Sequence, residues 1–440
     1  MNTSNQIPLA GNGKIARAAR SRAIARSIKP RHAWISKSIA LASAAILISG
    51  IASARKQQGN ALTAEQIQIL NYMSVEMVDD GLGNLIPTLT ITGANLRIVS
   101  GIGSTPSRDG TGNLIVGYNE LGNPNGDMRD GSHNISFGEA NSFRAFAGLV
   151  GPYQNTISEA YSTITGGSEN LILGRNDSIS GGKQNSISTD YYNPYPALYV
   201  SISGGLGNMV GYANFASVSG GMNNEIGYDA RWSSISGGSD GTAYAYGQAN
   251  SITGGYGNVV GGVASAVSGG KGNQAAFGVT SIVGGVLNLA LGTDSSISGG
   301  FRNQTEYSFS SVSGGSENLT YREGASVSGG KKNTARWFYS SVSGGYSNNS
   351  RGQYSSISGG RSSLVTGSSA TVSGGGNHTY STRWTTVSAG LDNRPADWGA
   401  TLSGGRFNWT YALYSTVSGG FSRSVNTTDD WRAGSLFENN

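Results

Sequence analysis

Ile252-Thr253-Gly254-Gly255 is followed by Val267-Ser268-Gly269-Gly270, then by Ile282-Val283-Gly284-Gly285 and Ile297-Ser298-Gly299-Gly300. The first glycine of each pair recurs at 254, 269, 284, 299, 314, 329, 344, 359, 374, 404 and 419, and Ala389 fills the one remaining slot. The step from each copy to the next never changes over twelve copies. Self-similarity at a fixed period marks a stacked repeat architecture, in which each unit buries its apolar face only against its neighbours.

One copy reads Ser-Ser-(Val/Ile)-Ser-Gly-Gly-x-x-Asn and continues into a looser half of small residues. The aliphatic slot holds Ile252, Val267, Ile282, Ile297, Val312, Val327, Val342, Ile357, Val372, Val387, Leu402 and Val417. A β-branched residue suits a strand buried on one side, with the flanking serines turned to the other. The glycine pair permits a positive φ or close backbone approach at a tight corner. Asparagine stands four residues after the first glycine at Asn258, Asn273, Asn288, Asn303, Asn318, Asn333, Asn348, Asn393 and Asn408. It tolerates left-handed backbone, and stacked asparagines can bond as a ladder along the stack. The pattern predicts two short strands per copy and excludes a helix, which a glycine pair in every copy would break.

Coils of this kind stack at roughly 4.8 Å, so seventeen of them, five less regular, make a rod on the order of 80 Å long. Each regular copy supplies one aliphatic and one smaller inward residue, such as Val260, Ala275, Ala290, Ala335 or Val365. That is little apolar volume for a broad monomeric β-helix. It predicts an all-β, thin parallel roll whose core is completed by neighbouring chains, as a homotrimer.

The run Ser-Val-Ser-Gly-Gly-x-x-Asn-x-Ala-x-Gly-x-x-Ser resembles the head repeat of trimeric autotransporter adhesins, the YadA-like head. That repeat has the form Ser-Val-Ala-Ile-Gly-x-x-Ser-x-Ala-x-Gly. The nearest matches are residues 266–278 and 281–292, and the resemblance covers about 160–420. It implies a left-handed parallel β-roll, three intertwined chains, and display on a bacterial surface for adhesion. The family's C-terminal amphipathic strands and long coiled-coil stalk have no counterpart in this sequence. The expectation is therefore a mature chain with no integral membrane anchor, attached by another route or released.

The segment 1–54 carries eight basic side chains and no acidic one, and an apolar run over 39–51 ends in Ala52-Ser53-Ala54. This is the order of an export signal, and the run is short for a membrane span, which needs about 20 residues. Without that segment the chain has 22 basic and 25 acidic side chains, so the basic balance belongs to the leader. Nucleic acid is not an expected partner. The absence of cysteine removes disulfides, thiolate metal sites and cysteine nucleophiles.

After the leader, Thr63-Ala64-Glu65-Gln66 reads as a capping box. Ile67, Leu70, Met73, Met77 and Val78 then predict about four helical turns, stopped by Asp79-Asp80-Gly81. This helix reads as a cap on the first coils, with a coiled-coil neck as the sharper alternative. Leu89-Thr90-Ile91-Thr92 and Leu96-Arg97-Ile98-Val99 alternate as strands do. The organisation is a signal at 1–54, a helix-and-strand cap at 55–111, divergent coils at 112–165, regular coils at 166–420 and a C-terminal cap at 421–440. An insertion between Gly181 and Gly204 carries Tyr191, Tyr192, Tyr195 and Tyr199. Extra residues in a solenoid leave as loops, where binding concentrates.

The serines sit at structural slots and the only histidines are His32, His133 and His378, so no catalytic set, metal site or cofactor is expected. The candidate ligand surface is aromatic: Tyr191, Tyr192, Tyr195, Tyr199, Trp232, Trp337, Trp384, Trp398 and Trp409. Such rings, with Arg336, Arg383 and Arg406 nearby, can stack on sugars or pack against each other between coils. The expected function is an exported, non-enzymatic, adhesin-like protein of the cell surface or medium that binds glycan or matrix ligands. A monomeric solenoid binding glycans or ice, or a fibre or spacer, stays open.

Overall fold

The computed structural model describes residues 62–188, 198–244, 248–376 and 382–433, with the backbone of 378–379. The expected leader and Tyr191, Tyr192 and Tyr195 lie outside the described residues. The described residues divide into two compact units after Arg97.

In the first unit, helix α1 (Ala64–Leu70) begins as its sequence predicts. The Thr63 hydroxyl accepts from the Gln66 N–H, and the Gln66 side chain accepts from the Thr63 N–H at 2.9 Å. The helix ends after 7 residues rather than four turns. Met73, Met77 and Val78, expected on that helix, lie on strand β1 (Met73–Asp79), which pairs antiparallel with β2 (Leu85–Ile91). Their spacing suits either period, and the partner strand decides the outcome. The Asp79 and Asp80 carboxylates close the turn, accepting from the N–H groups of Gly81 and Gly83 and of Leu82 and Asn84. Residues 96–99, expected as a strand, are irregular, and no residue from 62 to 97 is buried.

The second unit is a parallel β-solenoid of about 19 turns with about 15 residues per coil. One sheet runs from Leu114–Val116 to Trp431–Arg432, and its two end strands each pair on one side only, so the stack is open. A second runs for 16 strands from Ser142–Phe143 to His378–Thr379, followed by a separate stack of three that begins at Arg394–Pro395. A third ladder, absent from the sequence expectation, joins single residues two positions after the first glycine: Tyr256, Lys271, Val286, Phe301 and onward. Pairing is in register, Ser296 on Ser311 and Ile297 on Val312, so each slot stacks on its own kind.

Four columns fill the interior. The aliphatic column, which includes Val267, Ile282, Ile297, Val312, Val327, Val342, Ile357 and Val372, is at most 1% exposed. Each of these side chains stabilises its coil by about 1.5–3 kcal/mol. Facing it are Val260, Ala275, Ala290, Thr305, Thr320 and Ala335. The other two columns are polar: the asparagines, and a row of Ser265, Thr280, Ser295 and Ser310. The sequence argument for a core borrowed from other chains therefore does not hold in its stated form. One chain closes its own interior, using Asn, Ser and Thr where aliphatic volume runs short; Asn318 and Ser310 bond to backbone carbonyls, while the Thr320 hydroxyl is buried without a partner.

Asparagine also plays a different part from the one its tolerance of left-handed backbone suggested. The left-handed residue is the one before it, as at Leu287, Arg302, Glu317 and Lys332, with φ of 56°, 53°, 57° and 58°. The asparagine itself bonds the coils. Asn318 Oδ1 accepts the backbone N–H of Asn333 (2.9 Å), and Asn318 Nδ2 donates to the carbonyls of Gly314 (2.9 Å) and Gly330 (3.1 Å). The same set recurs at Asn273, Asn288, Asn303 and Asn333.

Candidate binding surfaces

The outward side chains form two unlike kinds of surface. The first is variable and aromatic. Tyr199, Phe215 and Trp232 occupy one corner on successive coils, with centroids 5.4 and 6.1 Å apart and planes within 9° and 7° of parallel. Tyr339 and Tyr354 repeat this arrangement at 5.4 Å and 6°. These rings turn their faces to one another along the stack and their edges to solvent, so sugar stacking is open only at the ends of each run. Of the alternatives read from sequence, packing between coils describes this corner.

Of the remaining predicted rings, Trp384 shares this corner and the others stand at other slots. Trp384 lies at the corner and meets Trp398 edge to face at 6.1 Å. Trp337 meets Phe338 in the same manner at 6.0 Å. Trp409 stands on the outward side of the three-stranded stack, stacked on Tyr411 at 5.6 Å. The six of these residues that the structure describes, Tyr199, Trp232, Trp337, Trp384, Trp398 and Trp409, are thus not gathered into one patch.

What the sequence reading under-weighted is how regularly arginine accompanies the rings. Arg322 lies 5.1 Å from the Tyr307 centroid and 5.5 Å from Trp337. Arg336 sits over Tyr321 (5.5 Å), Arg361 over Tyr346 (5.6 Å), Arg383 over Trp398 (5.9 Å), Arg394 over Trp409 (4.8 Å) and Arg406 over Phe407 (4.6 Å). The ion pairs found among the described residues involve other cations than Arg322, Arg336, Arg361, Arg383 and Arg406. A guanidinium lying on a ring keeps its N–H edge available for a carboxylate, sulfate or hydroxyl.

The second surface is uniform. Through the body of the first sheet each strand points its middle aliphatic inward and its neighbours outward, whereas at the ends Ser136 takes the inward place and Trp431 and Arg432 are exposed. Over seventeen coils, from Thr163-Ile164-Thr165 to Thr416-Val417-Ser418, 32 of the 34 outward positions are Ser or Thr; the exceptions are Ala266 and Val283. None of them is charged. The first glycine of each pair extends this stripe, and the two glycines obey different rules. The second, as at Gly285, has φ +90°, and a Cβ there would press into the Gly300 carbonyl and lie 2.5 Å from Asn288 Nδ2. The first, as at Gly284, has nothing within 4 Å of where its Cβ would stand.

One buried group escaped the sequence reading. Asp177 occupies the interior slot that holds Ser162 one coil earlier, and it is 1% exposed. Its Oδ1 accepts the Val200 N–H at 2.9 Å, while Oδ2 has no partner. Burial pushes its pKa up to about 7, against the opposing pull of that N–H. Aligning the coils slot by slot, rather than by the glycine pair alone, would have exposed it.

His133 is tied to the backbone, its Nε2 accepting the Ser100 N–H at 3.1 Å. Among the described residues no three His, Asp or Glu side chains gather to hold a metal ion, and no helix is long and apolar enough to cross a membrane. No family model matches the chain, and no curated protein matches it.

Proposed function

We propose that this chain is an exported, non-enzymatic, adhesin-like scaffold acting at a bacterial surface or in the medium, whose arginine–aromatic rows contact glycan or matrix ligands. The observation that carries this reading is the placement of those rows. Most of these pairs join one coil to the next at a shared slot, and the pairs recur at several outward slots of one rigid stack, where repeated weak contacts along one polymer add as avidity. An Arg over a ring offers charge, stacking area and hydrogen-bond donors in one spot, which suits acidic or heavily hydroxylated ligands.

The test is a glycan and matrix-protein array probed with the full chain and with an Arg322→Ala/Arg336→Ala/Arg361→Ala variant. Binding that falls at least about tenfold in the variant is expected, from a loss of roughly 0.5–1 kcal/mol per exposed contact. A chain that binds nothing on the array, or a variant that binds as well as the parent, overturns the reading. The interior closed within one chain supports a second reading, a stand-alone solenoid that binds glycans or ice through its Ser/Thr rows. Thermal hysteresis of the full chain separates the ice form of that reading from the first.

A further inference from the structure

Thirteen first glycines, from Gly204 to Gly404, have ordinary φ and nothing within 4 Å of a Cβ built on them. Neither the backbone nor the packing inside the chain requires glycine there, and Ala389 shows that a side chain fits. Outward slots elsewhere on the same coils have drifted freely. Two residues further on, the slot reads Tyr256, Lys271, Val286, Phe301, Ser316, Lys331, Tyr346 and Arg361. A slot that stays bare while its neighbours diversify is kept flat by something that approaches from outside.

We propose that the Ser/Thr-x-Ser/Thr-Gly stripe is the surface through which copies of this chain associate. A second copy carries the same coil period as the stripe, so contacts stay in step along all seventeen coils. The stripe is about 80 Å by 10 Å at strand spacing, on the order of 800 Å² per copy, the size of a standard stable interface. It asks for no charge to be desolvated. Bare glycines let two sheets approach until the hydroxyls of one reach the hydroxyls and carbonyls of the other. Among the described residues those hydroxyls have few partners within the chain: Thr165 donates to the Ser180 carbonyl, Ser356 to Thr371, and Ser418 accepts from Trp431. Association of copies then rests on this outer face rather than on an unfilled interior. It concerns a different face from the arginine–aromatic rows and stands whatever those rows bind.

The experiment is light scattering coupled to size exclusion on the full chain and on a Gly284→Lys/Gly314→Lys/Gly344→Lys variant. The parent is expected to run as an oligomer. The variant is expected at single-chain mass, its self-association weakened about a hundredfold or more by lysines left unpaired in the contact. Its far-ultraviolet circular dichroism spectrum is expected to match the parent's, because the new side chains enter space that is open within the chain. Gln304→Lys/Thr334→Lys, which adds charge to the outward side of the second sheet, is expected to keep the oligomer. A parent chain at single-chain mass overturns the proposal, and so does an oligomer indifferent to the three lysines. A monomeric parent whose thermal hysteresis is abolished by those lysines also overturns it, and assigns the stripe to ice instead.

Discussion

The hairpin unit and the solenoid use the same apolar residues, yet only one of them has an interior. Val75 on β1 is 60% exposed, whereas Val312 in the solenoid is 1% exposed. Both belong to short strands with regular pairing. The difference lies in what stands on the far side of the sheet. Two strands have one partner each and no residue of theirs is buried, and such a pair is marginal on its own. In the solenoid each inner coil is covered above and below by another coil, so one aliphatic per coil suffices beside the small and polar inward residues.

The sharpest test of that contrast is hydrogen exchange. Amides of Met73–Asp79 are expected to exchange on the order of 10⁴ times faster than those of Ser326–Val327, because hairpin opening is local while a mid-stack coil opens only with its neighbours. Equal protection in the two regions would show that the hairpin has an interior of its own. Next in size is the contrast within one glycine pair. Gly330→Ala places a Cβ at φ +80° against the Gly345 carbonyl, and should destabilise the coils around it by about 3–5 kcal/mol. Gly329→Ala, one residue away in open space, should shift stability by less than about 0.5 kcal/mol. Thermal melts and exchange in the flanking coils read both variants, and a similar loss in each would erase the distinction drawn between the two glycines.

The smallest effect is also the most local. The pKa of Asp177 in the folded chain, about 7, lies above the ordinary carboxylate value, so the folded state binds its proton more tightly than the unfolded one. The associated stability is fully present below about pH 4 and is lost as pH rises through 7, amounting to roughly 2–4 kcal/mol. Melting the chain at pH 4 and pH 8 measures it, and Asp177→Asn should flatten the difference. A variant whose pH dependence matches the parent's would place the titration elsewhere.

The coil period, the inward aliphatic slot and the asparagine ladder were legible in the sequence because in-register stacking repeats each requirement in every coil. The same repetition hid other features. Two adjacent glycines look alike as letters, and only the position of Gly300 against Gly285 shows that one is required by the backbone. Met73 and Met77 fit a helical spacing as well as an alternating one, and the choice falls to Leu85–Ile91, a partner outside any local window. The self-sufficiency of the interior was missed because the reckoning counted carbon alone. Asn318 and Ser310 occupy volume as fully as an aliphatic would, once their polar atoms find backbone partners. Where ligand contacts are proposed, tryptophan identity was visible, but not that ring faces would be taken by other rings or by arginine.

The asparagine thread that sews coil to coil gives way to other residues at Gly241, Ser363 and Arg423, and of these three Gly241 alone brings no side chain to the slot. Gly241 stands where an asparagine would, donating its N–H to Asn224 Oδ1 at 3.0 Å but offering no side chain to Asn258 in the coil beyond. Pulled lengthwise, a fibre with identical joints has no preferred place to tear, but this one does. The blocks on either side of that joint should come apart there as intact pieces, giving the stack a built-in fracture plane.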